Sequence, residues 1–274
     1  MKMIFINNDD FTKQVSFKQP MEMRLAGFLH DKEYLNRTII LSQDHSTYLM
    51  LDNGAAEDNA PNDDLLIDYI NIVRPQEFVL PDVLRDPIET FAKSTNFLYE
   101  LKVQKAFHPK LNYVLHFRNI EDLDLYMYDP KKHTEDNPLN NIRKKIFEFI
   151  DTHVNVISIP KYVDLWGKQD KEGDRSVITN IIVKRMEEGT FPKREIHWLG
   201  ANTFDTVYKS SKLIRSCDSA LPYICYGFDN FNGHILNYER DLSIQMEFIE
   251  PCDFTKETKN KMIKEFEQIR KDLL

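Results

Sequence analysis

Short apolar runs alternate with amphipathic stretches along most of the chain. The runs are rich in β-branched and aromatic residues, which favour strands, while the stretches repeat their apolar positions every three or four residues, as helices do. We predict strands at Thr38 to Leu41, Tyr48 to Leu51, Glu77 to Leu80, Asn112 to Phe117, Val154 to Ile159, Glu195 to Leu199 and Leu213 to Ser216. We predict helices at Asp63 to Val73, Pro87 to Gln104, Leu139 to Thr152, Arg175 to Glu188, Phe204 to Ser210 and Lys256 to Leu274.

This alternation predicts an α/β fold built from parallel βαβ units. The strands are evenly spaced and no Gly/Ser-rich linker separates them, so we expect one domain over residues 1–274. A (β/α)8 TIM barrel of about 250 residues fits this length best. An open doubly wound sheet is the structural alternative, but the chain lacks the GxGxxG and GxxxxGK[ST] motifs of nucleotide-binding sheets. We therefore predict no cofactor.

Composition narrows the class of protein further. The chain has 274 residues, with 36 Lys and Arg against 44 Asp and Glu, so its formal charge is −8. The beginning MKMIFINNDDF turns polar early, and no apolar run approaches the ~18 residues of a membrane span. We expect a soluble, cytoplasmic protein with no membrane partner. The three cysteines, Cys217, Cys225 and Cys252, form no CxxC pair, which argues against a disulfide framework and a clustered zinc site.

Net negative charge disfavours a protein coated with nucleic acid, but two local stretches are basic. The segment from Leu101 to Ile120 has no acid and includes Lys102 and Lys105. Lys209, Lys212 and Arg215 form a second basic stripe at three-residue spacing. Each stretch is a candidate contact for a phosphate backbone, with an ordinary solvated face as the alternative.

Three aspartates follow predicted strands closely: Asp52, Asp82 and Asp218. In a βα barrel the reactive groups lie at the carboxyl ends of the strands, so these carboxylates are the candidate catalytic groups. One such Asp is typically a helix cap or turn residue, but three in one chain favour a site. Two carboxylates can act together at an acetal-like carbon, one as nucleophile and the other as acid or base.

Four segments resemble motifs of the tRNA-guanine transglycosylase superfamily. HWLGANTFD (197–205) and LIRSCDSALP (213–222) resemble its seventh and eighth barrel strands. LMLDNGAAE (49–57) resembles its strand-end Asp-Ser-Gly-Gly loop, and VLPDVLRD (79–86) its base-recognising acidic segment. The ordered set extends over roughly Thr38 to Tyr226, and it implies a barrel enzyme that exchanges bases in nucleic acid.

The resemblance implies a role for each matching residue. Asp218 would attack C1′ of a target guanosine and form a covalent intermediate, and Asp52 would be the general acid and base. Asp82 would accept hydrogen bonds from N1–H and the exocyclic amine of a guanine-like base. The other substrate-binding candidates are Asn53, Gly54, His116 and Lys161.

Departures from the family pattern indicate the substrate. The tRNA enzymes carry a zinc site of three close cysteines and a histidine, whereas Cys225, His234 and Cys252 are far apart here. We therefore predict no metal site and no zinc-binding subdomain. The chain is also shorter than typical tRNA enzymes, and Gly54-Ala55 stands in place of their Gly-Gly. These features resemble the phage and bacterial branch that places 7-deazaguanine bases into DNA.

The predicted partners are therefore DNA and free guanine or a 7-deazaguanine base. The family resemblance also suggests that the chain forms a homodimer. A target guanine would have to leave the duplex stack, and Tyr48, Trp198 and Tyr223 are candidates to stack on it. The alternatives are the same reaction on tRNA, a barrel glycoside hydrolase and a non-catalytic partner subunit.

Overall fold

The structure is a computed structural model that describes residues 2–5, 21–55, 60–134, 137–161, 171–200, 207, 210–219, 256, 257, 260, 261, 264 and 268. Within them, eight parallel strands form one sheet in the order β1-β8-β7-β6-β5-β4-β3-β2. The strands are β1 (Lys2–Phe5), β2 (Met21–Leu25), β3 (Tyr48–Asp52), β4 (Glu77–Val79), β5 (Lys110–Val114), β6 (Val156–Pro160), β7 (Glu195–Leu199) and β8 (Ser216–Ser219). Because β1 pairs with β8 and also contacts β2, the sheet curves into a nearly closed barrel.

Within the described residues, five bounded α-helices alternate with the strands. They are α1 (Lys32–Gln43), α2 (Asp63–Val73), α3 (Pro87–Val103), α4 (Pro138–His153) and α5 (Lys171–Glu188). Side-chain caps begin several of them: Asn62 accepts from the Leu65 N–H, and Asp86, which precedes Pro87, accepts from the Ile88 and Glu89 N–H groups. The alternation of parallel strands and helices confirms the predicted TIM-like barrel.

Alternate residues of each strand face either the helices or the barrel interior. One hydrophobic cluster contains helix side chains together with Leu49, Leu51 and Trp198 of the strands, so these residues face outward. A second cluster, which includes Met50 and Val114, consists of strand side chains and fills the interior. Asp52 is two residues after Met50 in the same strand, so its side chain also points into the barrel.

The amino-terminal end of the barrel interior holds a buried ion pair. Glu77 at the beginning of β4 is fully buried, and the Arg215 guanidinium donates to its two carboxylate oxygens at 2.8 and 3.0 Å. Burial alone would raise the pKa of the Glu77 carboxyl, but its hydrogen bonds and ion pair with Arg215 outweigh burial and lower it. Tyr48 and Asn112 donate further hydrogen bonds to the same carboxylate.

Several predicted elements agree closely with the structure, and others differ. The strand at 195–199 and the helix at 63–73 have the predicted bounds. Thr38 to Leu41, predicted as a strand, belongs to α1, because Asp31 caps that helix and the Thr38 hydroxyl bonds to the Tyr34 carbonyl inside it. Tertiary context overrides the β-branched run here.

Sequence patterning also missed β1 and β2. β2 reads Met-Glu-Met-Arg-Leu, and both of its charged residues, Glu22 and Arg24, are buried. Arg24 lies over the Tyr34 ring of α1, which covers this strand. The helix predicted at 204–210 lies largely outside the described residues, and those described from 256 to 268 are helical. No helix in the described part of the chain is long and apolar enough to span a membrane.

Candidate active site

Consecutive strands deliver polar residues to one end of the barrel. Asp52 is the last residue of β3 and Asp218 lies near the end of β8. Asp82, His116, Lys161 and Gly200 follow the ends of β4, β5, β6 and β7. Because all eight strands are parallel, these residues share the carboxyl end of the barrel, where βα-barrel enzymes hold their reactive groups.

The Asp218 carboxylate is buried, with 2% of the residue exposed, and is held by β7. His197 Nε2 lies 2.9 Å from Oδ1 of Asp218. The Gly200 N–H donates to both oxygens, at 2.9 Å to Oδ1 and 3.0 Å to Oδ2. Cys217 packs in the outer cluster, so Asp218 points toward the interior. Oδ1 therefore has two hydrogen-bond partners, and Oδ2 one, within the part of the chain that the structure describes.

Gly200 has a backbone conformation that suits glycine, with φ of +69°. A Cβ at this position would lie 3.1 Å from Cδ of Lys161, so the Lys161 side chain packs directly against the glycine. On the other side, the buried Arg175 guanidinium donates to the Gly200 carbonyl at 2.7 Å and lies over the Trp198 ring. These contacts hold the N–H of residue 200 toward Asp218.

The Asp52 carboxylate ends β3 and begins a tight turn. It is 8% exposed, and its Oδ2 accepts the Gly54 N–H at 3.1 Å. Gly54 has φ of +78°, which permits the turn. Asn53 points the other way: its amide donates to the Leu80 carbonyl at 2.7 Å and to Asp82 Oδ1 at 2.8 Å. The loop thus links Asp52 to the neighbouring Asp82.

Asp82, 5% exposed, has a second partner in His116, whose Nε2 lies 2.5 Å from Oδ2. The Arg85 N–H donates to His116 Nδ1 at 3.3 Å. A backbone N–H can only donate, so Nδ1 accepts and the ring proton resides on Nε2, which donates to Asp82. Each oxygen of Asp82 then accepts one hydrogen bond and keeps a lone pair for a ligand. Arg85 has a positive φ of 60°, a costly conformation for a non-glycine residue.

Asp52 and Asp218 occupy walls of the barrel that face each other. In the strand register, Asp218 pairs with Ile4 of β1, and Asp52 pairs with Leu25 of β2. Since β1 and β2 lie between β8 and β3, the two carboxylates are three strands apart in an eight-stranded barrel. Two inward-facing acids on nearly opposite walls can approach a bound molecule from two sides.

The predicted basic contacts lie elsewhere. Arg215 precedes β8 and is bonded to Glu77 and Glu195 at the amino-terminal end of the barrel. Lys212 is exposed before the same end of β8, and Lys102 and Lys105 are exposed at the end of α3, which runs back toward it. Lys212 and Arg215 therefore lie at the opposite end of the barrel from Asp218, since β8 separates the two ends. Lys209 lies outside the described residues.

The aromatic residues predicted to stack on a base also differ. Trp198 is fully buried on the helix side of β7, where its indole N–H donates to Thr179. The Tyr48 hydroxyl donates to Glu77 at the amino-terminal end of the barrel. Neither ring faces the carboxyl end, because of strand alternation in the first case and strand direction in the second. Tyr223 lies outside the described residues.

Sequence reasoning assigned no role to His197, Gly200 or Arg175. A signal existed for His197: it is polar within an apolar strand and stands between Ile196 and Trp198, which face outward. For Arg175, a buried arginine near the beginning of α5, no local pattern distinguished it from a solvated helix residue.

Within the described residues, no group of three or more His, Cys, Asp or Glu side chains could hold a metal ion. Cys217 is buried, and Cys225, His234 and Cys252 lie outside the described residues. No protein-family model matches the chain, and no curated protein matches it.

Proposed function

We propose that this protein is a DNA-guanine transglycosylase that exchanges guanine for a 7-deazaguanine base through a covalent aspartyl intermediate. The observation that carries the proposal is the arrangement of Asp218 and Asp52. Both are buried carboxylates that project from nearly opposite walls into the carboxyl end of one barrel. Such a pair suits a substitution at the anomeric carbon of a nucleoside, where one group attacks and another transfers a proton.

Asp218 is the nucleophile in this proposal. One of its oxygens forms an ester bond to C1′ while the bond from C1′ to N9 of guanine breaks, and the electron pair leaves with the base. Asp52 donates a proton to the departing guanine. In the second half, Asp52 removes the proton from the incoming base, whose nitrogen attacks C1′ and releases the Asp218 carboxylate. Atoms and charges balance over the cycle, and no metal or cofactor is needed.

Asp82 selects the base in this proposal. Its two remaining lone pairs match the N1–H and exocyclic amine of guanine, two adjacent donors that adenine does not present. Asn53 and His116 support the carboxylate from behind through one hydrogen bond to each oxygen. A carboxylate held in this way is oriented before the base arrives, which lowers the entropic cost of binding.

DNA is the proposed polymer because the sequence departs from the tRNA enzymes at the cysteines and at Gly54-Ala55. The target nucleotide must then leave the duplex, at a cost of a few kcal/mol, to bring C1′ between the two acids. We place the reaction in the cytoplasm, with DNA and the free base as partners.

The test incubates the protein with radiolabelled guanine and either duplex DNA or tRNA. We expect label in DNA, together with a denaturant-stable complex of protein and DNA. Asp218→Asn should abolish both signals. Asp122→Asn is the matched control, because Asp122 is equally buried but bonds to Arg118 in a structural pair. Label in tRNA alone would refute the proposed polymer, and a complex that survives Asp218→Asn would refute the proposed nucleophile.

A further inference from the structure

We propose that Arg215 positions Asp218 from the opposite end of the barrel, through Ser216 and His197. The role concerns the nucleophile, so it rests on the proposed function. Arg215, Ser216, His197 and Asp218 form what we call the interior path. Arg215, Ser216 and His197 are positioning residues, and their hydrogen bonds determine which oxygen of Asp218 attacks.

The interior path is continuous. Arg215 Nε donates to Ser216 Oγ at 3.2 Å, and Ser216 Oγ lies 2.9 Å from His197 Nδ1. The other ring nitrogen, Nε2, lies 2.9 Å from Oδ1 of Asp218. Ser216 and His197 are fully buried, and Asp218 nearly so. Bulk water therefore does not compete for these hydrogen bonds, and their geometry persists in the free protein.

The groups at the two ends of the interior path determine the direction in which its hydrogen bonds are donated. A guanidinium can only donate hydrogen bonds, and an ionised carboxylate can only accept them. Ser216 accepts from Arg215, so its own hydroxyl proton is available to His197 Nδ1. Nδ1 then accepts, and the ring proton resides on Nε2, where it is donated to Asp218. Every donor in the path points toward the carboxylate.

The far end of the path is firmly anchored. Two guanidinium nitrogens of Arg215 bind the two oxygens of Glu77, which leaves Nε directed at Ser216. Tyr48 and Asn112 donate to the same Glu77 oxygens at 2.9 and 2.8 Å. Burial opposes the charged guanidinium, but the hydrogen bonds and ion pair with Glu77 raise the pKa of Arg215 above its ordinary value. Arg215 thus stays a donor at any pH at which the protein is folded.

The path distinguishes the two oxygens of Asp218. Among the described residues, Oδ1 accepts from His197 and from Gly200, whereas Oδ2 accepts only the shared Gly200 N–H. Oδ2 keeps the more available lone pair, and it is the atom that would bond to C1′. Oδ1 becomes the carbonyl oxygen of the ester and keeps its His197 hydrogen bond throughout. The path therefore fixes the rotamer of the nucleophile and the face from which it attacks.

Ser216→Ala is the variant that tests the path, because it removes one hydroxyl and leaves His197 and Asp218 in place. The matched control is Ser210→Ala, which also removes one buried hydroxyl, but one that bonds to Ser176 of α5 and not to a residue of the path or its anchor. The first readout uses the free protein: ¹⁵N NMR of labelled histidine reports which nitrogen of His197 carries the proton. The second readout is the single-turnover rate of adduct formation with duplex DNA.

We expect wild type and Ser210→Ala to show the His197 proton on Nε2. In Ser216→Ala we expect a mixture of the two tautomers and an adduct rate lower by about tenfold, the factor of one net hydrogen bond, with unchanged DNA affinity. His197→Gln is the second variant, and its amide can still donate to Asp218. Its adduct rate should exceed that of His197→Leu, which offers no donor.

Unchanged tautomer and unchanged rate in Ser216→Ala would overturn the inference, as would a rate loss of equal size in Ser210→Ala. If wild type forms no adduct with DNA or tRNA, the proposed function fails. The NMR result still decides whether Ser216 orients the His197 ring toward Asp218.

Discussion

The backbone N–H of Gly200 is shared between the two carboxylate oxygens of Asp218, at 2.9 and 3.0 Å. This contact links the end of β7 to the proposed nucleophile on β8, and its geometry depends on a positive φ at residue 200. The same glycine contacts Lys161 on one side and Arg175 on the other. A substitution at residue 200 therefore tests whether activity depends on the position of this N–H.

Gly200→Ala should reduce both stability and activity. The positive φ costs an alanine about 1–2 kcal/mol, and the new methyl group would press on Lys161 and turn the N–H away from Asp218. Gly189→Ala is the matched control, since Gly189 has φ of +75° with nothing within 4 Å of an added Cβ. Urea unfolding should show similar losses for both variants, whereas adduct formation should fall only in Gly200→Ala. An equal fall in activity would mean that strain alone is responsible.

His116→Leu should weaken binding of the free base. The change removes a charge-assisted hydrogen bond to Asp82, an interaction of about 1.5–3 kcal/mol, and frees the carboxylate to rotate. We expect KM for the base to rise about tenfold or more, and kcat to change less. His116→Gln keeps a donor and should recover most of the affinity.

His153→Leu is the control for loss of a partly buried histidine, because His153 ends α4 away from the carboxyl end of the barrel. Base binding measured by calorimetry should be unchanged in that variant. Equal affinity in His116→Leu and wild type would show that Asp82 does not depend on His116.

Lys161→Ala should reduce the salt dependence of DNA binding, whereas Lys212→Ala should not. Lys161 lies beside Gly200 at the carboxyl end of the barrel, where a strand with a flipped nucleotide would pass, and Lys212 is exposed at the opposite end. Loss of one phosphate contact makes the slope of log K against log salt shallower by about 0.9. Fluorescence anisotropy at several salt concentrations measures this slope, and a shallower slope in Lys212→Ala would show that DNA binds the amino-terminal end instead.

Glu77→Gln should destabilise the protein at neutral pH and weaken its acid dependence. The folded-state pKa of Glu77 is lowered, so its contribution to stability is present above the ordinary value of 4.5 and is lost as pH falls below it, through the folded-state value. The variant leaves Arg215 without its buried partner, which typically costs about 3–5 kcal/mol.

Urea unfolding from pH 7 down to pH 3 should show the smaller acid dependence in Glu77→Gln. Glu195→Gln is the control, because Glu195 contacts the same arginine at 3.3 Å but is exposed, and such pairs contribute at most about 1 kcal/mol. If the two variants lose equal stability, the interior ion pair is no stronger than a surface pair.

Local periodicity was sufficient to predict the barrel. Alternating apolar runs and amphipathic stretches determine strands and helices because side-chain direction follows backbone geometry, with a period of two in strands and 3.6 in helices. Parallel strands in turn bring their carboxyl ends together, so Asp52, Asp82 and Asp218 could be expected at one end without coordinates. The same logic fails for β2, whose Glu22 and Arg24 are buried beneath α1.

Only the tertiary structure decided which polar residues meet. Glu77 and Arg215 are 138 residues apart, and their contact depends on closure of the barrel. The register of β7 against β8 sets His197 beside Ser216 and brings Gly200 to Asp218. The direction of the strands separates the basic residues around 102–105 and 212–215 from the acids. The basic residues lie at the amino-terminal end of the barrel and the acids at its carboxyl end. Contacts across a closed sheet arise from pairing over long sequence separations, which no local pattern of residues records.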